Sequence, residues 1–200
     1  MELDQVRAAI LAHFDVPRSD SGWDATRFDA ASVTFLGLEP IEILRIPHGD
    51  LMNYVTLGGS RHPMADPAAA LADPTRGPRA ELILTLRSGL GAQSGLVRGL
   101  GVIIAAPAVE GVVLQPDALI DLGEPMWHEA PFTAALLGTA DVAEVPLPAP
   151  AEPVRFLSVT PITATEAAWV RLRGAAALRA AWSEAGVDVR DPARPAVTPS

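Results

Sequence analysis

The chain entirely lacks two reactive side chains, those of cysteine and lysine, and all 15 of its basic residues are arginines. Without cysteine, it has no disulfide, no thiolate nucleophile and no cysteine ligand for zinc or an iron–sulfur cluster. Without lysine, it has neither Schiff-base chemistry nor the phosphate-binding loop of P-loop proteins. The absence of cysteine also fits a reducing compartment, and we expect a cytoplasmic protein.

Long hydrophobic runs and an excess of basic residues are missing as well. The most apolar stretch, Val102–Val109, contains only eight residues and includes Pro107, so it is too short to span a bilayer. The first five residues are acidic and amphipathic, unlike a secretory signal peptide. The net charge of −9 disfavours general binding to nucleic-acid phosphates. We therefore expect neither a membrane nor a nucleic acid as a partner.

The length of 200 residues, of which 49% are hydrophobic, is ample for one domain with a buried core. We predict a single domain over residues 1–200. It begins with a helical segment at 1–30, contains a proline-rich connector at 146–153 and ends in a tail at 195–200.

Hydrophobic periodicity indicates a mixture of strands and helices without regular alternation. Helices are predicted at Leu3–Phe14 and Ser94–Ala106, and a proline-rich loop with a short alanine-rich helical turn at Pro63–Pro78. The predicted strands are Val33–Leu36, Ile41–Ile46, Leu51–Leu57, Arg79–Arg87, Val112–Leu114, Ala118–Leu122, Phe132–Leu137 and Val154–Thr160. The fold class is therefore α+β, with a mixed, largely antiparallel sheet flanked by helices.

The last helical region has a visible start signal. Thr163 and Glu166 have the spacing of a capping box, in which each side chain satisfies a free backbone amide. Gly174 is expected to break the region, and Gly186 to end it. The buried positions are predicted to be Trp169, Leu172, Leu178 and Trp182.

No catalytic motif is complete. Ser60 follows two glycines, but the nucleophile elbow also needs glycine at position 62, which is His62. None of the four histidines has the spacing of a metal-binding motif, although His48 with Asp50, or His62 with Asp66, could meet across loops. We predict no catalytic residue, no metal and no cofactor. The enzymatic alternative is a small hydrolase that uses loop side chains such as His48, Ser60 and His62.

Nearly all of the excess negative charge lies in one stretch. From Gly99 to Val154 there is no arginine, and the eight acidic residues there account for −8 of the net −9. These are Glu110, Asp117, Asp121, Glu124, Glu129, Asp141, Glu144 and Glu152. They are either solvated turn carboxylates or an acidic face that steers a basic partner toward the protein.

Four motifs follow one another in the chain: Tyr54–Ser60, Arg79–Leu84, Val154–Glu166 and Val187–Arg194. Their residue types, order and spacing resemble the suppressor of fused domain family in its bacterial form, over about residues 30–194. The residues that carry the resemblance have scaffold roles in strands, turns and a helix cap. They are Tyr54, Thr56, Gly58, Ser60, Arg79, Glu81, Thr163 and Glu166. Position 59 is glycine, where the family leads us to expect a larger residue such as methionine.

The resemblance implies a mixed α/β fold that binds other proteins without catalysis. In bacteria it points to immunity proteins that neutralise toxins, and in animals to a signalling repressor that captures a peptide as an added strand. We therefore expect a protein-binding module, with an immunity protein that covers a basic toxin domain as the leading hypothesis. A regulator that captures a peptide by strand addition is the alternative. The identity of the partner and the oligomeric state stay open.

Overall fold

The computed structural model describes residues 2–65, 73 and 75–197, with helices on both faces of one large sheet and a separate small hairpin. The helices are α1 (Glu2–His13), α2 (Leu96–Glu110), α3 (Ala164–Arg173) and α4 (Ala175–Glu184), with a 3₁₀ turn at Gly59–Arg61. The strands are β1 (Arg18–Ser19), β2 (Gly22–Trp23), β3 (Asp29–Val33), β4 (Ile41–His48), β5 (Leu51–Leu57), β6 (Arg79–Arg87), β7 (Leu119–Asp121), β8 (Phe132–Thr139) and β9 (Val154–Thr163).

The main sheet has seven strands in the order β3-β4-β5-β6-β9-β8-β7. All neighbouring strands are antiparallel except β6 and β9, which run parallel over a short ladder from Arg79↔Val154 to Ile83↔Ser158. Two antiparallel halves are thus joined at the centre by one parallel pair. This arrangement confirms the predicted α+β class with a largely antiparallel sheet.

Both faces of the central strands are covered, as the continuous apolar run of β6 predicts. Leu82, Leu84 and Leu86 pack in the core beneath α2, whereas Ile83 packs in the core beneath α1. Side chains alternate between faces along a strand, so α1 and α2 lie on opposite sides of the sheet. On β9, Phe156 contacts the α1 core and Ile162 contacts the α3–α4 core. These two positions share a face, so α3 and α4 lie on the same side as α1.

The N-terminal region differs from the prediction of a helical segment over 1–30. Helix α1 ends at His13, the β1–β2 hairpin follows, and β3 already begins at Asp29. The edge strand is therefore Asp29–Val33 rather than the predicted Val33–Leu36, and its pairing with β4 ends at Val33↔Ile41. Beyond that point the chain turns back, and Leu36 is fully exposed. Val33, the last residue of β3, and Phe35, beyond the strand, both pack near α2, and this packing accounts for the apolar run.

Three other predictions need correction or fall outside the described residues. Residues 112–114 form no strand; the Leu114 amide instead donates to the Met64 sulfur at 3.2 Å. Leu172 is 79% exposed, because α3 buries Ala167 and Val170 on its other side. The predicted alanine-rich turn falls on residues 66–72, which lie outside the described residues.

The C-terminal tail is held against the body of the protein by a buried carboxylate. Glu166 is fully buried, and as predicted it forms a capping box with Thr163 at the start of α3. The same carboxylate accepts hydrogen bonds from the Trp182 indole, at 2.9 Å, and from the Val197 amide, at 3.2 Å. Val197 is therefore buried, Pro195 and Ala196 are exposed, and residues 198–200 lie outside the described residues.

Arg194 supplies the opposite charge to this carboxylate. Its two terminal nitrogens donate to the two oxygens of Glu166 at 2.7 and 3.0 Å, and one of them also donates to the Pro161 carbonyl. The guanidinium lies between the rings of Phe132 and Trp182, 4.9 and 5.3 Å from their centroids. Burial raises the pKa of Glu166, but the hydrogen bonds from Arg194, Trp182 and Thr163 outweigh it, so the pKa lies below its ordinary value of 4.5.

We predict that Glu166→Gln destabilises the protein by about 3 kcal/mol at neutral pH, because it leaves the Arg194 charge buried without its partner. A group with a lowered folded pKa stabilises the fold fully above its unfolded pKa and loses this effect as the pH falls. The stability gap between wild type and variant should therefore narrow from about pH 6 to pH 3. Urea unfolding across this range measures the gap. Glu184→Gln, on an exposed residue, is the control, and a gap independent of pH contradicts the assignment.

Candidate protein-binding groove

A second buried carboxylate, Glu81, organises the end of β5. Pairing between β5 and β6 stops at Val55↔Ile83, and beyond it the two strands separate. The fully buried Glu81 side chain fills the gap. It accepts hydrogen bonds from the Thr56 hydroxyl (2.6 Å), the Gly58 amide (2.8 Å), the Ser60 amide (3.0 Å) and the Ser60 hydroxyl (2.6 Å). The carboxylate thus replaces the backbone acceptors of a neighbouring strand.

Arg79, two residues earlier on β6, holds the carbonyl side of the same turn. Its guanidinium donates to the Ser60 carbonyl at 2.8 Å and to the Arg61 carbonyl at 2.6 Å. The sequence placed Arg79 and Glu81 on one face of the strand, and the structure brings both side chains to the 3₁₀ turn. The amides of the turn therefore donate to the Glu81 carboxylate, and the carbonyls of the turn accept from the Arg79 guanidinium.

The turn fixed in this way packs tightly against α2. A Cβ atom at Gly59 would lie 2.3 Å from Ile104 Cγ1 and 2.5 Å from Ile104 Cδ1, closer than real atoms approach. Ile104 therefore occupies the space that a larger residue at position 59 would fill. This contact explains why glycine stands where the family resemblance suggests a larger side chain.

Between this turn, α2 and the β3–β4 connection lies an apolar groove of about 430 Å³. Its walls are mainly Leu38, Ile41, Pro63, Met64, Ile104 and Pro107, and its polar rim is formed by Glu39, Arg61 and His62. Glu39 and His62 pair across the rim at 3.1 Å. Two of the three large hydrophobic side chains that are exposed on the described surface, Leu36 and Val109, come next to groove residues in the chain. We call this surface the α2 groove.

All eight residues that carried the family resemblance are buried, and seven belong to the two networks. Thr56, Gly58, Ser60, Arg79 and Glu81 form the first network. Thr163 and Glu166 belong to the second. The eighth, Tyr54, lies in the α2-side core, where burial raises the pKa of its hydroxyl. Their roles are structural. Of the residues that line the groove, Gly58 and Gly59 lie within a family motif, whereas no motif indicated the apolar wall residues.

The acidic residues of the 99–154 stretch do not form one surface. Three pair with arginines from outside the stretch: Asp117 with Arg179, Asp121 with Arg171 and Glu144 with Arg155. Within the described part of the chain, the other five have no ion pair: Glu110, Glu124, Glu129, Asp141 and Glu152. Glu110 ends α2 on one side of the sheet, whereas Asp141 lies beside α1 on the other. A local count of charges could not reveal either fact.

The side chains of the enzymatic alternative are dispersed. The Ser60 hydroxyl is buried and donates to Glu81, so it is not available to a histidine. His62 lies 80% exposed on the groove rim, and His48 lines a different cavity near Phe14. The partner proposed for His62, Asp66, lies outside the described residues. The structure therefore gives no geometric support to a hydrolase built on these residues.

Two features are absent from the described residues. Across residues 2–65, 73 and 75–197, no three histidine, aspartate or glutamate side chains are grouped so that they could hold a metal ion. Over the same residues, no helix is both long and apolar enough to cross a membrane.

Comparisons with known proteins identify the fold. The sequence model of suppressor of fused protein (SUFU) matches residues 37–195, close to the extent expected from the motifs. No curated protein matches the sequence. A suppressor of fused homologue from Neisseria gonorrhoeae superimposes with a TM-score of 0.61 at 16% identity, over 98% of this chain and 96% of that chain.

Two further solved structures share this fold. The Sufu–Fu complex gives a TM-score of 0.58 at 13% identity, over 84% of this chain and 85% of that chain. Drosophila Suppressor of Fused gives 0.56 at 13% identity, over 80% of this chain but only 43% of that chain. These likenesses establish a shared fold, which is consistent with a protein-interaction domain.

We predict that Gly59→Ala destabilises the protein by about 1–3 kcal/mol, because the added methyl overlaps Ile104. Ile104→Ala alone should cost about 2–4 kcal/mol through the cavity that it leaves. The double variant should lose at least about 1 kcal/mol less than the sum, since each change relieves the other. Urea unfolding of the four proteins measures this coupling. Strict additivity would show that the turn does not press on α2.

Proposed function

The chain belongs to the suppressor of fused protein family, and we propose that it works as a protein-binding module without catalysis of its own. The observation that carries this proposal is the α2 groove, an apolar concavity whose lining residues Gly37 and Ala108 adjoin the exposed Leu36 and Val109 in the chain. Exposed apolar patches with polar rims are typical of surfaces that bind other proteins. The shared fold with a Sufu protein that was solved in complex with Fu agrees with this role.

Leu36 and Val109 are suited to act as anchors for a partner. Each exposes a large apolar side chain, and full burial of such a side chain contributes about 1.5–3 kcal/mol. The wall behind them is rigid, because Glu81 and Arg79 hold the 3₁₀ turn and Gly59 packs against Ile104. A rigid site loses little conformational entropy on binding, so more of the contact energy appears as affinity.

We propose further that the partner is a basic protein, and that the chain is a cytoplasmic immunity protein that covers a toxin domain. The net charge of −9 and the five acidic residues of the 99–154 stretch without an ion pair among the described residues support a basic partner, because opposite charges speed association. Glu110 follows Val109 directly, so the exposed anchor has a negative neighbour. The fold shared with a bacterial homologue is compatible with this role.

Strand addition is the second candidate, and a specific observation favours it. β3 is an edge strand, and most of its residues are exposed. Its residues Ala30–Ser32, together with Pro40 and Arg61, line a shallow concavity, and Arg61 also lines the α2 groove. An extended segment could pair with this edge and place a side chain in the groove.

We predict that Leu36→Arg and Val109→Arg each weaken partner binding at least about tenfold, through lost apolar burial and repulsion of a basic surface. Leu172→Arg, the same change on the exposed leucine of α3, should leave binding unchanged. The measurement is co-purification with the product of the neighbouring gene, followed by association rates at low and high salt. The wild-type association rate should fall as the salt concentration rises.

Different failures of this experiment have different meanings. If the neighbouring product is no toxin and does not bind, the immunity role is wrong. If it binds but the three arginine variants behave alike, the groove is not the binding surface. An association rate independent of salt would contradict the basic partner. Loss of binding when Ala31→Pro blocks the β3 edge, with both groove variants still active, would favour strand addition alone.

A further inference from the structure

A cavity at the centre of the sheet, on the side opposite the α2 groove, has the features of a small-molecule site. The parallel ladder of β6 and β9 ends at Ile83↔Ser158, but β6 continues with β5 to Arg87 and β9 continues with β8 to Thr163. The sheet therefore forks. The Arg87 amide donates to the Arg190 carbonyl at 2.8 Å. The segment that follows α4 therefore closes the end of the fork that lies away from the β6–β9 ladder. A cavity of about 290 Å³ lies at this fork.

The floor of this cavity is polar, whereas β9 presents apolar side chains on either side of it. Along β9, the side chains on this face are Val154 and Phe156 in one core cluster and Ile162 in another. Between them are Ser158 and Thr160, which line the cavity together with Thr85 and Thr139. Gly138 stands opposite Ser158, and a Cβ there would lie 2.7 Å from the serine hydroxyl. Gly138 thus leaves room for the Ser158 hydroxyl, and the cavity floor carries small polar side chains where larger apolar ones would reach further into the space.

The hydroxyl groups of the floor have spare hydrogen-bonding capacity. Ser158 reaches only the Thr139 carbonyl, at a long 3.4 Å, and the Thr160 hydroxyl has no partner among the described residues. Thr85 donates to Asn53 at 2.7 Å and keeps its acceptor sites. Its backbone groups point to the same strand edge as those of Arg87, two residues on, and thus into the fork. Polar groups in a concavity normally bind water or a ligand.

The cavity lining contains one carboxylate, that of Asp141, one guanidinium, that of Arg190, and the imidazole of His13. Asp141 has no ion pair within the described part of the chain. Arg190 is held from one side, because its Nε donates to Asp188 at 3.1 Å, and its terminal nitrogens remain free to donate. Hydrogen bonds from Arg190, and another from Arg87, lower the pKa of Asp188 to about 2. The Asp188 carboxylate, which holds Arg190, is therefore charged at any physiological pH. Phe14 and Val142 add apolar surface.

We propose that this fork cavity binds a small zwitterion of the amino-acid type. Asp141 would pair with its ammonium group, and Arg190 with the Ser158 and Thr160 hydroxyls would bind its carboxylate, the partners such groups prefer. The charges of the site balance, which fits a ligand with no net charge. The volume is at the lower end of the range for small-molecule pockets, about 300 Å³, and suits a single amino acid. The site is independent of the α2 groove.

The experiment is thermal unfolding of the full chain with each of the twenty common amino acids up to about 10 mM, followed by calorimetry of any that stabilise it. Ribose serves as the neutral polyol and inorganic phosphate as the simple anion. At least one amino acid should bind at a single site. Asp141→Asn should lower the affinity for this amino acid about tenfold and Thr160→Val should lower it about fivefold, as expected for lost hydrogen bonds to charged groups. Glu184→Gln and Thr165→Val, on exposed helix positions, should change nothing.

Three results would overturn the proposal: no amino acid binds, ribose or phosphate binds as well as any amino acid, or the Asp141 and Thr160 variants bind like wild type. The variants are informative even if one folds poorly. Asp141 is exposed and makes no ion pair, so its replacement tests the site without disturbing the core. Retained binding in the arginine variants of the α2 groove would show that the two sites are separate.

Discussion

The hydrogen bonding of the Glu81 carboxylate is the interaction on which the α2 groove depends. Where β5 leaves β6, the backbone amides of Gly58 and Ser60 lose the partners that a continuing sheet would provide. Unpaired buried amides are costly, and a buried charge is tolerated only when it is fully hydrogen-bonded. The four bonds to Glu81 meet both needs at once. The strand can therefore turn toward α2, and this turn forms a wall of the groove.

The C-terminal half of the protein solves a similar problem in the same way. Glu166 satisfies the amide of Thr163 at the start of α3 and that of Val197 in the tail, and Arg194 balances its charge. Replacing such networks with apolar side chains is often neutral for stability, but removing one member is not. Each network therefore specifies one arrangement of its segment. The first network holds a wall of the α2 groove, and the second holds Pro161 and Arg194, which follow the cavity residues Thr160 and Arg190 in the chain.

Sequence patterns predicted the elements that depend on local rules. The strand Arg79–Arg87 and the capping box of Thr163 and Glu166 were predicted to the residue, because an apolar run and a fixed spacing determine them. The prediction of a strand at Val33–Leu36 was wrong, since the apolar residues of this run pack against a helix or face solvent. The prediction that Leu172 is buried was wrong, because tertiary contacts determine which side of α3 is buried.

The site was harder to predict than the scaffold, because its contacts join distant parts of the chain. The family motifs indicated Glu81 and Glu166, but not that each gathers several donors around one carboxylate. Arg179 pairs with Asp117 across 62 positions, so no local count of charge could detect that neutralisation. The α2 groove and the fork cavity arise where segments meet or separate, and only the fold shows them.

The most direct test of this account is hydrogen exchange at the Gly58 and Ser60 amides in wild type and Glu81→Gln. If the carboxylate holds the turn, the variant should exchange these two amides at least about tenfold faster than any global loss of stability explains. Amides in the centre of β8, far from the turn, report that global loss. Unchanged protection of Gly58 and Ser60, relative to β8, would contradict the central role of Glu81.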